Sequence, residues 1–247
     1  MYSFLNNNPL ETARLAQVQR ILGDRVGRDI FFYSFSVDPV RDTPAELKAY
    51  ADLYHARPGW LFLTGKKEDI QAIRKKLGQA ARTGENDVTD HTTTLLLGNT
   101  ATGQWIRDSS MDNPQYLAVI IRDWLSSWAA GGTGASYAER PPLDASLKDR
   151  GSYLFQSRCA ACHTIGGGDG LGPDLRGVTR SRSRPWLAGM ISRPNDLLED
   201  TDPIATALLG RYRVRMPNLR LEATDVNTLI DYLTRRDAGP DADGDHR

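Results

Sequence analysis

The sequence predicts two domains, a layered α/β domain followed by an all-α domain, and three observations support this. Helical and strand patterns alternate through residue 128, as in proteins whose helices cover a sheet. The segment 129–143 (AAGGTGASYAERPPL) is rich in Gly, Ala, Ser and Pro and lacks an apolar period, which is typical of a linker. Beyond it, strand patterns nearly vanish. We therefore place the domains at 1–128 and 146–237, with a linker over 129–145 and a disordered tail over 238–247.

Hydrophobic periodicity and residue preferences define the elements of the two domains. In the first domain they predict helices over 11–22, 44–54, 66–77 and 114–128, strands over 30–37 and 60–63, and a hairpin from 92–97 and 104–106. Thr43 and Pro44 fit an N-cap and a first helical residue. In the second domain they predict helices over 147–158, 186–192 and 224–235. From Asp237 onward the chain is polar and without a period, which predicts a solvated tail.

Length, composition and charge exclude several classes of protein. The chain has 247 residues, of which 40% are hydrophobic and 25% charged, so it is not mainly disordered. Lys+Arg and Asp+Glu both number 31, and this balance argues against a dedicated nucleic-acid binder. No apolar run reaches the roughly 18 residues of a spanning helix, and no signal peptide is recognisable. Two cysteines are too few for a disulfide-rich scaffold.

Both cysteines belong to one motif, the CAACH sequence of residues 159–163. The spacing C-x-x-C-H is the attachment pattern of c-type haem. Two thiols one helical turn apart can form thioethers with the two vinyl groups of a porphyrin. The adjacent His163 would then lie under the iron as its proximal ligand. The motif therefore predicts one covalent haem c bound through Cys159 and Cys162.

Three other interpretations of the motif are less well supported. A thioredoxin-like redox pair would follow a strand, whereas a predicted helix precedes Cys159. A zinc site would need further thiol or imidazole ligands, and only His55, His91 and His246 remain in the chain. A chance match would have to use every cysteine present. Haem attachment is the interpretation that these comparisons favour.

Further residues around the motif carry a family resemblance. They are Gly151 and Phe155 on the preceding helix, Gly172-Pro173-Asp174-Leu175, Met216-Pro217, and the 229–233 sequence LIDYL. With the CAACH motif, they make the segment from about Ser146 to Asp237 resemble class I cytochromes c. The glycine-rich segment 166–172 lacks the G-x-G-x-x-G register of nucleotide loops and follows no strand. We interpret it as a flexible loop at the haem edge.

The resemblance to cytochromes c implies roles for particular residues. Met216 would be the second axial ligand, and the carbonyl of Pro173 would orient His163. Met190 is the alternative ligand, on a predicted helix without a following proline. Gly151 and Tyr232 would lie where the first and last helices cross. A His/Met iron has no open position, so the domain is expected to carry electrons rather than to act as an enzyme.

Two arginine-rich, acid-free runs accompany these residues. The arginines are Arg176, Arg180, Arg182, Arg184 and Arg193 in the first run, and Arg211, Arg213, Arg215 and Arg220 around Met216. If both runs surround the haem edge, they form a docking surface for an acidic partner. The alternative is an ordinary solvated face, offset by acids elsewhere.

The N-terminal domain carries a second resemblance. Its signals are the 36–50 sequence SVDPVRDTPAELKAY, Pro9-Leu10 before a helix, the 60–65 sequence WLFLTG, and Asp90-His91 before a Thr-rich strand. Residues 1–128 thus resemble the Sco/SenC family, thioredoxin-like proteins that deliver copper to cytochrome oxidase. The family binds copper with a C-x-x-x-C-P motif and a distant histidine. Here Asn8 precedes Pro9, and Phe4 or Leu5 stands at the first cysteine position.

These departures argue against the family's copper chemistry in this domain. His91 matches the family's histidine and is a candidate copper ligand, but one imidazole does not hold copper tightly. Without a cysteine, the domain cannot exchange thiols. Residues 1–4 align where the family's first central strand ends, so we expect a truncated domain whose sheet lacks a central strand. The missing segment would carry a signal peptide or membrane anchor, and haem attachment would place the protein in the periplasm.

The leading hypothesis is an electron-transfer protein of the respiratory chain that binds no nucleic acid and has a copper or haem oxidase as its redox partner. Two alternatives stay open. One is an oxidase assembly factor acting as copper chaperone or reductant. The other is a haem peroxidase or sensor with a labile sixth ligand.

Overall fold

A computed structural model describes residues 2–5, 9–78, 93–125 and 149–239. The chain divides into two compact units, Met1–Arg140 and Pro141–Arg247. The linker predicted over 129–145 lies outside the described residues, as do His91 and the part of the tail beyond residue 239. Within the described residues, no helix is long and apolar enough to cross a membrane.

The N-terminal unit is built around a five-stranded sheet. Its strands are β1 (Tyr2–Leu5), β2 (Phe32–Ser36), β3 (Trp60–Leu63), β4 (Thr94–Asn99) and β5 (Gln104–Ser109). Their order in the sheet is β3-β2-β1-β4-β5. The three strands β1, β2 and β3 are parallel, and β4 is antiparallel to both β1 and β5. The hairpin of β4 and β5 was predicted from its turn-rich connection.

Among the described residues, four α-helices accompany the sheet. They are α1 (Pro9–Leu22), α2 (Pro44–Leu53), α3 (Lys67–Lys76) and α4 (Pro114–Val119), which continues into a π-helical turn, Ile120–Trp124. The start of α2 follows from its sequence, because Thr43 and Glu46 form a reciprocal capping box and Pro44 occupies the first turn. The predicted helices and strands are all present, with ends shifted by a few residues.

The expectation of a sheet without a central strand is wrong. Strand β1 lies between β2 and β4, and its four residues pair with β2 from Tyr2↔Tyr33 to Leu5↔Ser36. Tyr2 also pairs with Leu96 of β4. A four-residue strand is therefore enough to cover the edge of β2, whose backbone groups would otherwise lack partners.

The core of the N-terminal unit lies where α1 and α4 pack on the sheet. Its fully buried side chains are Leu15 and Val18 of α1, Phe32, Leu95 and Leu97 of the strands, and Leu117 of α4. The indole of Trp60, also buried, donates a hydrogen bond to the Ser34 hydroxyl over 2.9 Å. This bond satisfies the polar edge of an otherwise apolar ring.

The regular elements described in the C-terminal unit are helices, joined by loops. Its helices are α5 (Arg150–Leu154), which continues into a π-helical turn (Phe155–Cys159), α6 (Val178–Ser181), α7 (Arg184–Ser192), α8 (Pro194–Glu199), α9 (Pro203–Tyr212) and α10 (Ala223–Ala238). Leu154 and Phe155 pack against Leu229 and Leu233. At this crossing, a Cβ added to Gly151 would lie 2.6 Å from Cβ of Tyr232. The close approach of the first and last helices therefore depends on glycine, as the sequence predicted.

The polar tail does not begin at Asp237, because α10 extends to Ala238. Asp237 is only 7% exposed. Its carboxylate accepts hydrogen bonds from the amides of Gly177 and Thr179 and from the Thr179 hydroxyl. It therefore satisfies the first amides of α6, which explains why a charged residue is buried here.

A second buried acid, Glu11, lies in the first turn of α1 and is 4% exposed. Burial raises the pKa of its carboxyl group from 4.5 to about 7, and a hydrogen bond with the Ser110 side chain opposes the shift. The folded domain thus holds a proton that the unfolded chain releases above pH 4.5. Its stability consequently falls as pH rises from about 4.5 to 7, and is constant above that range.

We expect Glu11→Gln to abolish this dependence, because the amide stays neutral, and to stabilise the domain at pH 8 by about 3 kcal/mol. Hydrogen exchange of the β2 amides between pH 5 and 8, corrected for intrinsic rates, measures the effect. The matched control is Glu68→Gln, at an exposed position of α3. An unchanged slope in Glu11→Gln would refute the assignment.

Candidate functional site

The CAACH motif forms a helical turn that follows the π-helical end of α5. The amides of Cys162 and His163 both donate to the carbonyl of Cys159, over 3.0 and 2.9 Å. This turn sets the two cysteines one helical turn apart, and neither thiol is in a disulfide. Both cysteines and His163 line the same cavity.

A hydrogen bond between Nδ1 of His163 and a backbone carbonyl fixes the orientation of the ring. Its Nδ1 lies 2.9 Å from the Pro173 oxygen. Because a carbonyl can only accept, Nδ1 carries the proton and Nε2 keeps its lone pair. Burial lowers the pKa of His163 and outweighs the opposing effect of the Pro173 bond, so the neutral ring is favoured. A Cβ added to Gly172 would lie 2.6 Å from the ring Cε1, so only glycine fits beside it.

A cavity of about 250 Å³ unites the residues predicted for the C-terminal site. Cys159, Cys162, His163, Pro173 and Met216 all line it. The remaining wall is largely apolar and includes Leu175, Leu187, Leu208 and Leu229. Two thiols, a ligating imidazole and a thioether around an apolar space are the donor set that a covalently held haem requires.

Two methionines reach this cavity. Met216 lies in the segment 213–222 between α9 and α10, which forms neither helix nor strand. Met190 lies on α7 and lines the same cavity. The segment of Met216 begins at Arg213, whose left-handed backbone (φ 59°) ends α9. Both thioethers therefore face the cavity.

Asp174 binds the glycine-rich loop through backbone hydrogen bonds that the sequence did not predict. Its carboxylate accepts hydrogen bonds from the amides of Gly166, Gly168 and Arg176, over 2.7, 2.7 and 2.9 Å. These bonds, that from Gly166 first, lower its pKa to about 2. Asp174 appeared in the sequence only as part of a family pattern. Its role could have been suspected from the preference of aspartate for amides in turns.

Comparison with protein families agrees with both parts of the structure. Residues 8–125 match the family model SCO1/SenC, and residues 148–236 match the family model Cytochrome c. The chain joins a SCO1/SenC domain to a cytochrome c domain. The predicted fold class, a thioredoxin-like domain followed by a cytochrome c domain, is confirmed. The cytochrome c domain implies haem c as its cofactor.

Individual relatives cover only parts of the chain. A putative copper-binding protein from Stutzerimonas stutzeri is 34% identical over 67 residues, or 26% of this chain. The chain spans about a third (32%) of that relative's length.

Among solved structures, the cytochrome c domain of the pp3183 protein from Pseudomonas putida is 43% identical (TM-score 0.34), covering 36% of this chain and 88% of that one. A cytochrome c from Rhodothermus marinus is 27% identical (TM-score 0.35), covering 39% of this chain and 81% of that one. A SCO1/SenC family lipoprotein from Bacillus anthracis is 29% identical (TM-score 0.27), covering 43% of this chain and 58% of that one.

The thiol-redox alternative to haem attachment is weakened within the cytochrome c domain. Burial, followed by the neighbouring Cys162, raises the pKa of Cys159 to about 12. Reactive C-x-x-C pairs have lowered pKa values instead, so a thiol-redox role does not fit. In the described part of the chain, no group of three or more His, Cys, Asp and Glu side chains could hold a metal ion.

The copper prediction for the SCO1/SenC domain falls outside the described structure. His91 is not among the described residues, and neither is Asn8. Phe4 and Leu5 belong to β1, whose backbone alone is described. His91 as a copper ligand therefore stays a prediction.

Proposed function

We propose that the protein is an electron carrier with one haem c attached through Cys159 and Cys162, and with His163 and Met216 as axial ligands. The observation that carries this proposal is the shared cavity, onto which both thiols, the imidazole and a thioether open. The bound group would supply a one-electron iron couple.

The protein's own residues adapt the site to this task. The Pro173 carbonyl fixes the His163 tautomer, so that Nε2 is available to the iron. A Met216 thioether favours the reduced state, since it is a soft and neutral ligand. The apolar wall keeps water out and disfavours the additional charge of the oxidised state. A site with both axial positions filled supports electron transfer over peroxidase or sensor activity.

The axial ligand can be tested by substitution. We expect the oxidised protein to absorb at about 695 nm, as His/Met iron does. Met216→Ala should lose this band, lower the reduction potential and bind imidazole readily, because an axial position opens. Met190→Ala is the matched control, from the same cavity, and should keep the band.

Two other outcomes would contradict the proposal, one by identifying a different axial ligand and one by favouring a different function. Loss of the band in Met190→Ala, with its survival in Met216→Ala, would transfer the role to Met190. Absence of the band from the unaltered protein, together with ligand binding by the reduced iron, would favour the peroxidase or sensor alternative.

We further propose that the electron-transfer partner presents acidic groups to the mouth of this cavity. Arg176, Arg182 and Arg215 line the cavity. None of the three has a carboxylate within 4.0 Å among the described residues. By contrast, Arg184, Arg193 and Arg211 are paired with aspartates. The positive field of the predicted runs is thus concentrated at the cavity.

The rates of electron transfer to small anionic and cationic redox reagents report this electrostatic field. The reduced protein should react with ferricyanide at a rate that falls with salt, whereas a cationic cobalt phenanthroline complex should show the opposite trend. The double variant Arg182→Glu/Arg215→Glu should slow ferricyanide about tenfold at low ionic strength. Arg193→Glu is the control, since this arginine does not line the cavity. Equal effects of the two changes would contradict the docking surface.

The SCO1/SenC domain is proposed not to bind copper through thiolates. Both cysteines of the chain belong to the cytochrome c domain, and Asn8 with Phe4 or Leu5 replaces the family's pair. The name of the Stutzerimonas stutzeri relative, a putative copper-binding protein, favours the alternative of an assembly factor.

Titration with Cu(I) against a chromogenic chelator separates the two functions. We expect no tight stoichiometric binding, and the same result for His91→Ala, because a single imidazole is a weak copper site. Tight binding that disappears in His91→Ala would favour the assembly factor and overturn the proposal.

We propose that the protein is located in the periplasm. There it would act in the respiratory chain, with an oxidase as its redox partner. Covalent haem attachment outside the cytoplasm supports this location, and haem staining of periplasmic fractions tests it. The proposed domain bounds are those of the sequence analysis, 1–128 and 146–237.

A further inference from the structure

The glycine-rich loop beside His163, residues 166–172, makes a set of contacts that the proposed ligation does not explain. Asp169, in the glycine-rich segment, accepts hydrogen bonds at Oδ2 from Arg211 over 2.7 Å and from the Tyr212 hydroxyl over 2.8 Å. Its Oδ1 accepts the amide of Asp174 over 3.0 Å. The Arg211 guanidinium also lies over the Tyr212 ring, 5.2 Å from its centroid. We name this set of contacts the Asp169 clasp.

One side of the clasp is fixed to the haem motif. The amide of Gly172 donates to the carbonyl of Cys162 over 2.9 Å, and the amide of Gly170 donates to the carbonyl of Gly172 over 2.9 Å. The next residue, Pro173, accepts from His163. Asp169 therefore belongs to the loop that is bonded to the CAACH turn and that carries Pro173, the partner of the proximal histidine.

The other side of the clasp lies close to Met216 along the chain. Arg211 and Tyr212 are the last two residues of α9, and Met216 follows Tyr212 by four positions. Arg213 caps the helix in a left-handed conformation, with its amide bonded to the carbonyl of Leu209 over 2.9 Å. Within the described chain, residues 214–217 make no hydrogen bond of their own. The end of α9 is consequently the nearest anchor of the Met216 segment on its N-terminal side.

The charge of Asp169 suits this anchoring role. The amide of Asp174, followed by the Tyr212 hydroxyl, holds the pKa of Asp169 below its ordinary value. The group is thus a carboxylate at neutral pH, and its bonds to Arg211 and Tyr212 are charge-assisted. Such bonds are shorter and stronger than those between neutral groups.

We infer that Asp169 is a positioning residue, which ties the Met216 segment to the histidine side of the cavity and so controls how readily the thioether leaves the iron. This inference rests on the proposed His163/Met216 ligation. The clasp retains the methionine by restricting the end of α9, without contact between Asp169 and the iron.

The test compares Asp169→Asn with Asp231→Asn in the haem-bearing protein. Asp231 forms an equivalent 2.7 Å pair with Arg184 but lies on α10, outside the loop that carries Pro173, so it reports the general cost of losing a surface pair. We expect the affinity of the oxidised protein for imidazole to rise about fivefold in Asp169→Asn and to stay unchanged in Asp231→Asn. Tyr212→Phe should raise it by a smaller factor, because one of the two bonds remains.

A second readout does not involve the iron. The amide of Arg213 should exchange hydrogen faster in Asp169→Asn than in Asp231→Asn, since the clasp restrains the last turn of α9. Unchanged exchange and unchanged imidazole affinity in Asp169→Asn would overturn the inference.

The same data separate this inference from the proposed function. If the unaltered protein and Met216→Ala bind imidazole equally well, the proposed ligation fails, and the Arg213 exchange alone decides on the clasp. If these two differ while Asp169→Asn matches the unaltered protein in both measurements, only the clasp fails.

Discussion

The hydrogen bond between His163 Nδ1 and the Pro173 carbonyl is the interaction on which the rest of the haem site depends. It selects the tautomer of the ring, and it brings the loop that carries Pro173 against the CAACH turn. The loop can follow this path because Gly172 leaves room beside the imidazole and Asp174 satisfies its amides. The orientation of the His163 ring and the folding of the loop therefore depend on the same set of contacts.

The residues of the site were predictable to the extent that their chemistry is local in sequence. The CAACH spacing indicates haem attachment by itself, and the start of α2 could be predicted from Thr43 as N-cap and Pro44 as first helical residue. Asp237 and Asp169 could not be recognised, because their partners lie about 60 and 42 residues away. For the same reason the central position of β1, set by pairing with β2 and β4, was missed.

The two domains differ in what remains of their families' chemistry. The cytochrome c domain keeps its thiols, imidazole and thioether around one cavity. The described residues of the SCO1/SenC domain form the five-stranded sheet and its helices, and we propose that other residues occupy the family's thiolate positions. Its buried polar atoms stabilise the fold: Trp60 binds Ser34, and the side chain of Gln19 binds the backbone of Arg57. If the proposed loss of thiolate ligands is correct, this domain keeps its fold without the family's metal chemistry.

The buried Asp237 has a consequence for how much of the chain the C-terminal domain needs. Its carboxylate satisfies the amides that begin α6, yet it belongs to the last turn of α10. A chain that ended before this residue would leave the amides of Gly177 and Thr179 without their carboxylate partner. The start of α6 therefore depends on the end of α10, although 60 residues separate Gly177 from Asp237.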